Sequence, residues 1–483
     1  MTLSHPQVLD QTTFLIIPFG FLDKYEDVSK SIDPTLFECK APKTSHLYKH
    51  VENLVSNSAG DIGAIGKRFV MTQKARGIYN LPNKHDHFLT CKTKNKEFLF
   101  SIKQVEIYLF ETQVGFVLYK IGYPKGLRID ELIEGNYILK GFHLNSEYYF
   151  GKRLSKEEVI SQKVDLKELA YQLVAPFKID TFFEGTQYAP SKALVYTYSK
   201  IDMVMEDRDS AGSSGRGADG VGSIDRVSAS SSSSSSSQKA KVYSYLFHLR
   251  RAFKASYKPS SLEFDGQNHK GIVQLFENSF WGVSLEGLAN IVTKTEDDTT
   301  ENFFDSTYRG NVENTYLYLY MLALHQKYAL LFLSKQISKL PVELSRLNQR
   351  AKNQNTFITE YQNKIISFLL RCSYKQVSNI THQAELYEVI RNQLKINDFF
   401  EEINEELNAL MSKEQMAEQQ QLSNLNKKLS VLSILFLPVT VMTGLLGMNL
   451  QIVEDYSNHT WLFFVGLILI YIGFLVKMPF NRK

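Results

Sequence analysis

Apolar residues along this chain follow two rhythms, and the change between them divides it. In the first two hundred residues, short segments alternate aromatic or β-branched residues with polar ones: TTFLIIPFGF, KEFLFSIKQVEIYLF, QVGFVLYKIGYP and ALVYTYSKID. A period of two is that of a pleated strand, whose successive side chains point to opposite faces. Only a brief turn around Glu111 and Thr112 separates the second segment from the third, which predicts a hairpin. VDLKELAYQLVAPF reads as a helix with Asp165 as its N-cap. The expected fold over residues 1–202 is a mixed α+β domain, its first part a cytosolic α/β domain.

The pattern breaks over residues 203–241, where MVMEDRDSAGSSGRGADGVGSIDRV leads into eight consecutive serines, residues 230–237. Such a stretch buries too little apolar surface to offset its ordering entropy, which predicts a disordered Ser/Gly-rich insertion. KVYSYLFHLRRAF and GIVQLFENSFWGVSLEGLANIV follow it, so the mixed domain is expected to continue over residues 242–312.

From residue 313 the rhythm changes to steps of three and four. TYLYLYMLALHQKYALLFLSKQIS predicts a helix ending before Pro341, and a second helical segment runs from Val342 toward Cys372. A third, from about Leu386, meets no Gly or Pro until Pro438, with a seam of Ile403, Leu407, Leu410, Leu422, Leu425 and Leu429. Unbroken from Leu386 to Leu446, this helix has 61 residues and a length of about 92 Å. A rod of that length needs partner helices, and residues 313–428 are read as a helical and stalk region.

Residues 429–446 are an uncharged run of 18, about 27 Å of helix, which is enough to span a bilayer. Residues 460–476 form a second apolar run of 17, with Trp461 and Tyr471 as interfacial anchors. Two transmembrane helices in a hairpin over residues 429–483 are therefore expected. Lys427 and Lys428 precede the first run, and Lys477, Arg482 and Lys483 follow the second, whereas the connecting loop holds only Glu454 and Asp455. Basic flanks favour the cytosolic side, so both termini are expected inside and an acidic loop outside. The first residues lack the basic start and apolar core of a signal peptide, so the N-terminal bulk is expected to be cytosolic.

A net charge of +4 over 483 residues, with no run of five basic residues, gives no support for a nucleic-acid partner. Cys39, Cys91 and Cys372 are scattered without metal-ligand spacing and suit a reduced compartment. His85-Asp86-His87 lacks further ligands for a metal. The glycines at 60, 63 and 66 before Lys67 miss the spacing of a phosphate loop, and Arg68 replaces its Ser or Thr. No nucleophile and base stand in a recognisable pattern, so no enzyme is expected and no catalytic cofactor is called for.

KKLSVLSILFLPVTVMTGLLGMNL, with Pro438 two residues before Thr440, the closing Gly447-Met448-Asn449 and the second apolar run just downstream, resembles the CorA family of divalent-cation (magnesium) channels. The resemblance is specific over roughly residues 420–483 and rests on layout before that. It implies a homo-oligomeric, pentameric funnel in a bacterial cytoplasmic (inner) membrane, multi-pass, its first spans lining a pore. Gly447, Met448 and Asn449 would form the selectivity filter, with Asn449 in a ring at the outer mouth. Magnesium sheds its inner waters reluctantly, and a neutral amide can hydrogen-bond the hydrated ion without trapping it. Gly447 lets the backbone turn closely at the helix end.

On the same alignment Thr440, Leu437 and Leu429 fall on pore-facing positions. Thr440 would offer a hydroxyl, and rings of Leu437 and Leu429 would close the pore by dewetting. Lys427 and Lys428 match a basic belt at the cytosolic face, and Glu454 and Asp455 form the outer acidic loop. The membrane potential supplies about 4.6 kcal/mol per 100 mV for a divalent ion moving inward. Cytosolic magnesium acts in the family as a regulatory ion bound by carboxylates. Glu385, Glu388, Asp398, Glu401, Glu402, Glu405 and Glu406 supply stalk acidity here, read mainly as a solvated face, and no metal ligand is assigned among them.

Two departures bear on the ion. Leu446 stands where an aromatic residue usually precedes GMN, and the loop reads QIVEDYSN in place of a Met-Pro-Glu-Leu type signature, with Asp455 at the glutamate's position. A zinc transporter of the ZntB type, or a cobalt/nickel transporter, is the alternative within the class. A membrane-anchored coiled-coil scaffold is the alternative outside it. Expected partners are other copies of the chain, the lipid bilayer and the divalent cation.

Overall fold

The computed structural model describes residues 5–57, 63–82, 88–92, 97–141, 147–153, 159–180, 193–205, 228–260, 271–347 and 351–447, with Leu462, Val465, Gly466, Leu469 and Tyr471 beyond. It divides into two units, residues 1–404 and 405–483.

The first unit is built on strands Val8–Phe21 (β1), Phe37–Cys39 (β2), Gly66–Met71 (β3), Leu89–Lys92 (β4), Glu97–Phe110 (β5), Val114–Gly122 (β6), Glu147–Arg153 (β7), Val159–Val164 (β8), Ile179–Asp180 (β9), Leu194–Val204 (β10), Ile272–Phe276 (β11), Ser279–Val283 (β12) and Gly287–Lys294 (β13). Among the described residues they pair in the order β11-β12-β13-β10-β1-β6-β5-β4-β7-β8. On its flank β3 joins β5 and β2, and β9 joins β1. The four segments singled out by their alternation are β1, β5, β6 and β10. β5 and β6 pair antiparallel as the expected hairpin, with Leu109 opposite Gly115 and Gln113 in the left-handed conformation at the turn. The pair β10 and β13 is parallel, and a parallel pair requires a crossover.

Helices fill the connections. Tyr25–Ser31, Lys49–Glu52 and Gln73–Ile78 (α1 to α3) are short, and Ile129–Lys140, Leu166–Val174 and Ser228–Arg251 follow (α4 to α6). Asp298–Phe303 (α7), a π-turn at Phe304–Tyr308, Arg309–Asn311 (α8) and a second π-turn at Val312–Tyr316 form one continuous run into Leu317–Leu347 (α9). Ala351–Cys372 (α10), Thr381–Gln393 (α11) and Ile396–Gly447 (α12) complete the order. At α5 the Asp165 carboxylate accepts the Glu168 amide at 3.0 Å, the cap expected there.

The sheet is buried on both faces, so its central strands read as continuous apolar runs with an alternation beneath them. Leu15, Ile17, Val117, Tyr119 and Val195 join one core with Leu132 of α4, Leu169 of α5 and Leu246 of α6. Phe14, Phe116 and Tyr196 are fully covered on the other face, where Phe116 meets Tyr328 edge-on, Tyr196 stacks on Tyr320, and Trp281 packs on Tyr316. Asn136 of α4, fully buried, ties three elements together. Its Nδ2 donates to Thr197 at 3.0 Å, while its Oδ1 accepts from Tyr123 at 2.9 Å and Thr13 at 3.2 Å.

Three expectations change. Residues 230–237 fall within α6, which extends back from an apolar stretch that packs on β12 and β13, although composition predicts disorder there; residues 206–227 lie outside the described residues. α9 passes through Pro341 to Leu347, since a proline within a helix removes a single backbone donor and the flanking turns can hold it. The third helix is not continuous from Leu386: Lys395 takes a left-handed φ of 55° and separates α11 from α12. α12 then has 52 residues, about 78 Å, rather than 61. Among the described residues no helix is long and apolar enough to cross a membrane. The first expected span falls on the end of α12, and the second lies almost wholly outside the described residues.

Candidate pore helix and the polar seam of the sheet unit

α12 lacks glycine and proline over four tens of residues and is rich in Glu, Gln, Leu and Lys, all strong helix formers. In the first unit its Ile403 is 1% exposed. In the second unit the seam residues Leu422, Leu425 and Leu429 are bare in a single chain, as are Val431, Leu432, Ile434, Phe436, Leu437 and Val441. Leu437 is 64% exposed and Leu429 59% exposed. Leucines on several sides of a helix left in water are costly, at roughly 25 cal/mol per Å² of apolar surface, so this stretch is made for other helices or lipid.

Thr440 donates to its own helix, at 2.8 Å to the Leu437 carbonyl and 3.1 Å to that of Phe436. Pro438 has no amide to give the Ile434 carbonyl one turn earlier, and the Thr440 hydroxyl bonds later carbonyls of the same helix. Its hydroxyl oxygen still has acceptor lone pairs. Lys427 and Lys428 are exposed at the polar side of this apolar stretch. Gly447 is the last residue of α12; Met448, Asn449, Glu454 and Asp455 lie outside the described residues, as do His85, Asp86 and His87. The carboxylates Glu385, Glu388, Asp398, Glu401, Glu402, Glu405 and Glu406 are all exposed. Among the described residues no group of three His, Cys, Asp or Glu side chains stands close enough to hold a metal.

The structure adds a feature that the alternation of strands and helices did not suggest. Glu301, Asp305, Arg309 and Glu313 recur every four residues through the π-turns and face charged groups on the sheet. Lys200 of β10, 2% exposed in its side chain, reaches Glu301 at 2.6 Å and also pairs with Asp305. Arg309 Nε lies 2.5 Å from Asp10 of β1 and its Nη2 lies 3.7 Å from Glu313. Glu313 also meets Lys120 of β6 at 2.9 Å and accepts from Thr12 at 2.5 Å. Burial drives the Glu313 carboxyl upward, but Lys120, the hydrogen bonds from Thr12 and Lys120, and Arg309 together hold it below the ordinary range. For Asp10 burial wins over Arg309 and the carboxyl is raised.

The π-turns matter to this fit. One extra residue per turn rotates the following side chains, and it frees backbone carbonyls for other donors. The Val312 carbonyl takes the Tyr196 hydroxyl at 2.6 Å. Tyr308, fully buried, meets Ser279 at 2.5 Å and receives the Trp281 indole N–H at 3.0 Å. The four-residue spacing of charges in ENFFDSTYRGNVEN was the sequence signal for this seam, but apolar periodicity alone passes over it.

A seam-locked helical run is followed by helices whose last member presents bare apolar side chains in a single chain. Residues 296–478 match the model of the CorA-like Mg2+ transporter protein family. The match begins just before α7, takes in the π-turns and extends beyond Asn449, so it contains the stretch whose residues carried the resemblance. No curated protein matches the chain.

Proposed function

We propose that this protein is a channel that moves magnesium or a related divalent cation into the cytosol down its electrochemical gradient. The observation that carries the reading is the family match over residues 296–478, which includes Gly447, the last residue of α12, and Met448 and Asn449 next to it in sequence. In this reading the apolar runs 429–446 and 460–476 span the membrane, both termini face the cytosol, and several copies, five by family analogy, surround one pore. Gly447, Met448 and Asn449 form the filter, the Asn449 amides hydrogen-bond the hydrated ion, and Glu454 and Asp455 enrich cations at the mouth. Leu437 and Leu429 close the pore by dewetting, while Thr440 offers its acceptor lone pairs to ion-bound water. Lys427 and Lys428 anchor the cytosolic membrane face. Support for assembly comes from the bare apolar side chains of α12, which a single chain leaves in water.

Asn449→Ala tests it. In reconstituted vesicles the variant should assemble and insert as the parent does, yet lose divalent flux. Undiminished flux would sink the filter assignment, and parent protein with no flux at all would favour the scaffold reading. Competition between magnesium, zinc, cobalt and nickel in the same assay separates the magnesium reading from the ZntB-like alternative.

A further inference from the structure

Where β10 and β13 end and α7 begins, the turn between β11 and β12 borders a cavity of about 860 Å³. Part of its lining is apolar. Phe276 meets Phe303 and Phe304 edge-on, with ring centres 6.4 and 5.8 Å apart, and Met205 lines the same space. Phe304 is 2% exposed, whereas Phe303 keeps 40% of its surface open. The rest of the lining is polar and mostly acidic: Glu277, Glu296 and Asp297 stand against one lysine, Lys294, which lies 3.9 Å from Asp202.

Glu277 has an interaction of its own, so Glu296 and Asp297, both exposed, are the carboxylates open to a ligand. Asp297 accepts the Thr300 amide at 2.7 Å as the N-cap of α7, which leaves further lone pairs on the carboxylate. Its hydrogen bonds with Thr300 hold the carboxyl below the ordinary range, so it stays anionic. A second, independent observation is Asn278, which is 8% exposed and also lines the cavity. Its Nδ2 donates to the Thr293 carbonyl at 3.4 Å, and its backbone carbonyl takes the Thr293 amide at 2.8 Å. Its Oδ1 accepts no hydrogen bond and, unlike the sealed acceptors of the core, keeps accessible surface. Every open group here is an acceptor, which calls for a ligand that brings N–H donors and positive charge.

Two properties select among cations. Among the described residues no three acidic, histidine or cysteine side chains converge closely enough to hold a metal, so the negative charge is spread along the cavity rather than focused on one compact ion. The phenyl rings and Met205 suit methylene groups, and an aromatic face also attracts an ammonium group. We propose that this cavity binds an aliphatic polyamine, its ammonium groups donating to Glu296, Asp297 and the Asn278 Oδ1 and its methylene chain lying along Phe276 and Phe303. Charge-assisted hydrogen bonds hold the ends, and the apolar stem is covered as that of a surface lysine is. The volume falls within the range of small-molecule sites, about 300–1,000 Å³. The site lies wholly within the first unit, and the proposal is independent of the transport reading.

Calorimetric titration of the full-length protein in phosphatidylcholine nanodiscs and metal-free buffer tests it. The probes are spermidine, putrescine, butylamine and magnesium chloride. Saturable binding of spermidine is expected, at least tenfold tighter than that of butylamine, with putrescine between them. The double variant Glu296→Gln with Asp297→Asn should weaken spermidine at least tenfold, and its asparagine keeps the cap of α7. Asn278→Ala and Phe303→Ala should each weaken it about threefold or more. Glu26→Gln with Asp27→Asn removes the same charge from exposed positions of α1 and should bind as the parent does. Melting temperature checks that each variant folds, and if Asn278→Ala does not, the exposed carboxylate pair and Phe303 decide. No saturable spermidine binding overturns the proposal, as does no loss in the cavity pair or an equal loss in the control pair. Butylamine bound as tightly as spermidine overturns the assignment to a polyamine. Full displacement of spermidine by magnesium at equal charge concentration overturns it in favour of general screening.

Discussion

The two units of this chain treat apolar surface in opposite ways. In residues 1–404, the sheet's central side chains are covered on both faces, and the charges that cross from sheet to helix meet partners. In residues 405–483, the described part of α12 leaves Leu425, Leu429, Phe436 and Leu437 more than half exposed. The first unit satisfies its chemistry within one chain, whereas the second is unfinished without neighbours or lipid. That difference teaches where substitutions should act: on folding in the first unit and, under the proposed function, on assembly and transport in the second.

The largest folding effect is expected at Trp281, which has no exposed surface and gives its indole N–H to Tyr308. Trp281→Ala should cost about 3–5 kcal/mol, read as a lower urea midpoint at unchanged slope. Loss of transport with full stability would break the comparison at this point.

Next in size is the seam. Glu313→Gln keeps the shape but leaves Lys120 and Arg309 short of a carboxylate, so roughly 1–3 kcal/mol of stability should go. Lys200→Met should cost less than Glu301→Gln combined with Asp305→Asn, because it removes the buried charge itself and leaves carboxylates with access to water. Thermal denaturation of the three variants in one buffer ranks them.

Acid sharpens the comparison further. His325 of α9 is fully buried, stacks on Phe110 at 4.0 Å and shares a 2.8 Å hydrogen bond with Thr112, and burial lowers its pKa to about 3 from an ordinary 6.5. The neutral ring is the one the fold accepts. Its contribution is complete above pH 6.5 and is lost as pH falls from there toward 3, at up to about 1.4 kcal/mol per unit. His325→Gln should flatten that slope between pH 6 and 4 in urea titrations; an unchanged slope would contradict the assignment.

The smallest folding effect belongs to the second unit. Leu429→Ala should alter the unfolding free energy of the first unit, read from urea titration, by less than about 0.5 kcal/mol, yet shift the assembled species in sedimentation or light scattering. A large folding loss there, with assembly intact, would reverse the comparison.

Much of this was legible in the residues. β1, β5, β6 and β10 announced themselves because a sheet covered on both faces selects aromatic and β-branched residues at nearly every position, and Asp165 marked the start of α5. The break at Lys395 was not legible, since a left-handed lysine between two helices has no compositional mark such as Gly or Pro. The π-turns escaped for a similar reason: their extra residues disturb the 3.6-residue rhythm without changing composition. Residues 230–237 misled in the other direction, because serine runs argue against order while the apolar residues after them nucleate a helix. The proposed filter rests on resemblance alone, since Gly447, Met448 and Asn449 have no periodicity to read.

The most direct test of the account is divalent flux through the purified full-length protein in sealed vesicles, followed with an internal magnesium-sensitive dye. The account predicts magnesium entry that grows as the interior is made more negative. Vesicles that hold correctly inserted protein and admit no divalent cation at any potential would contradict it.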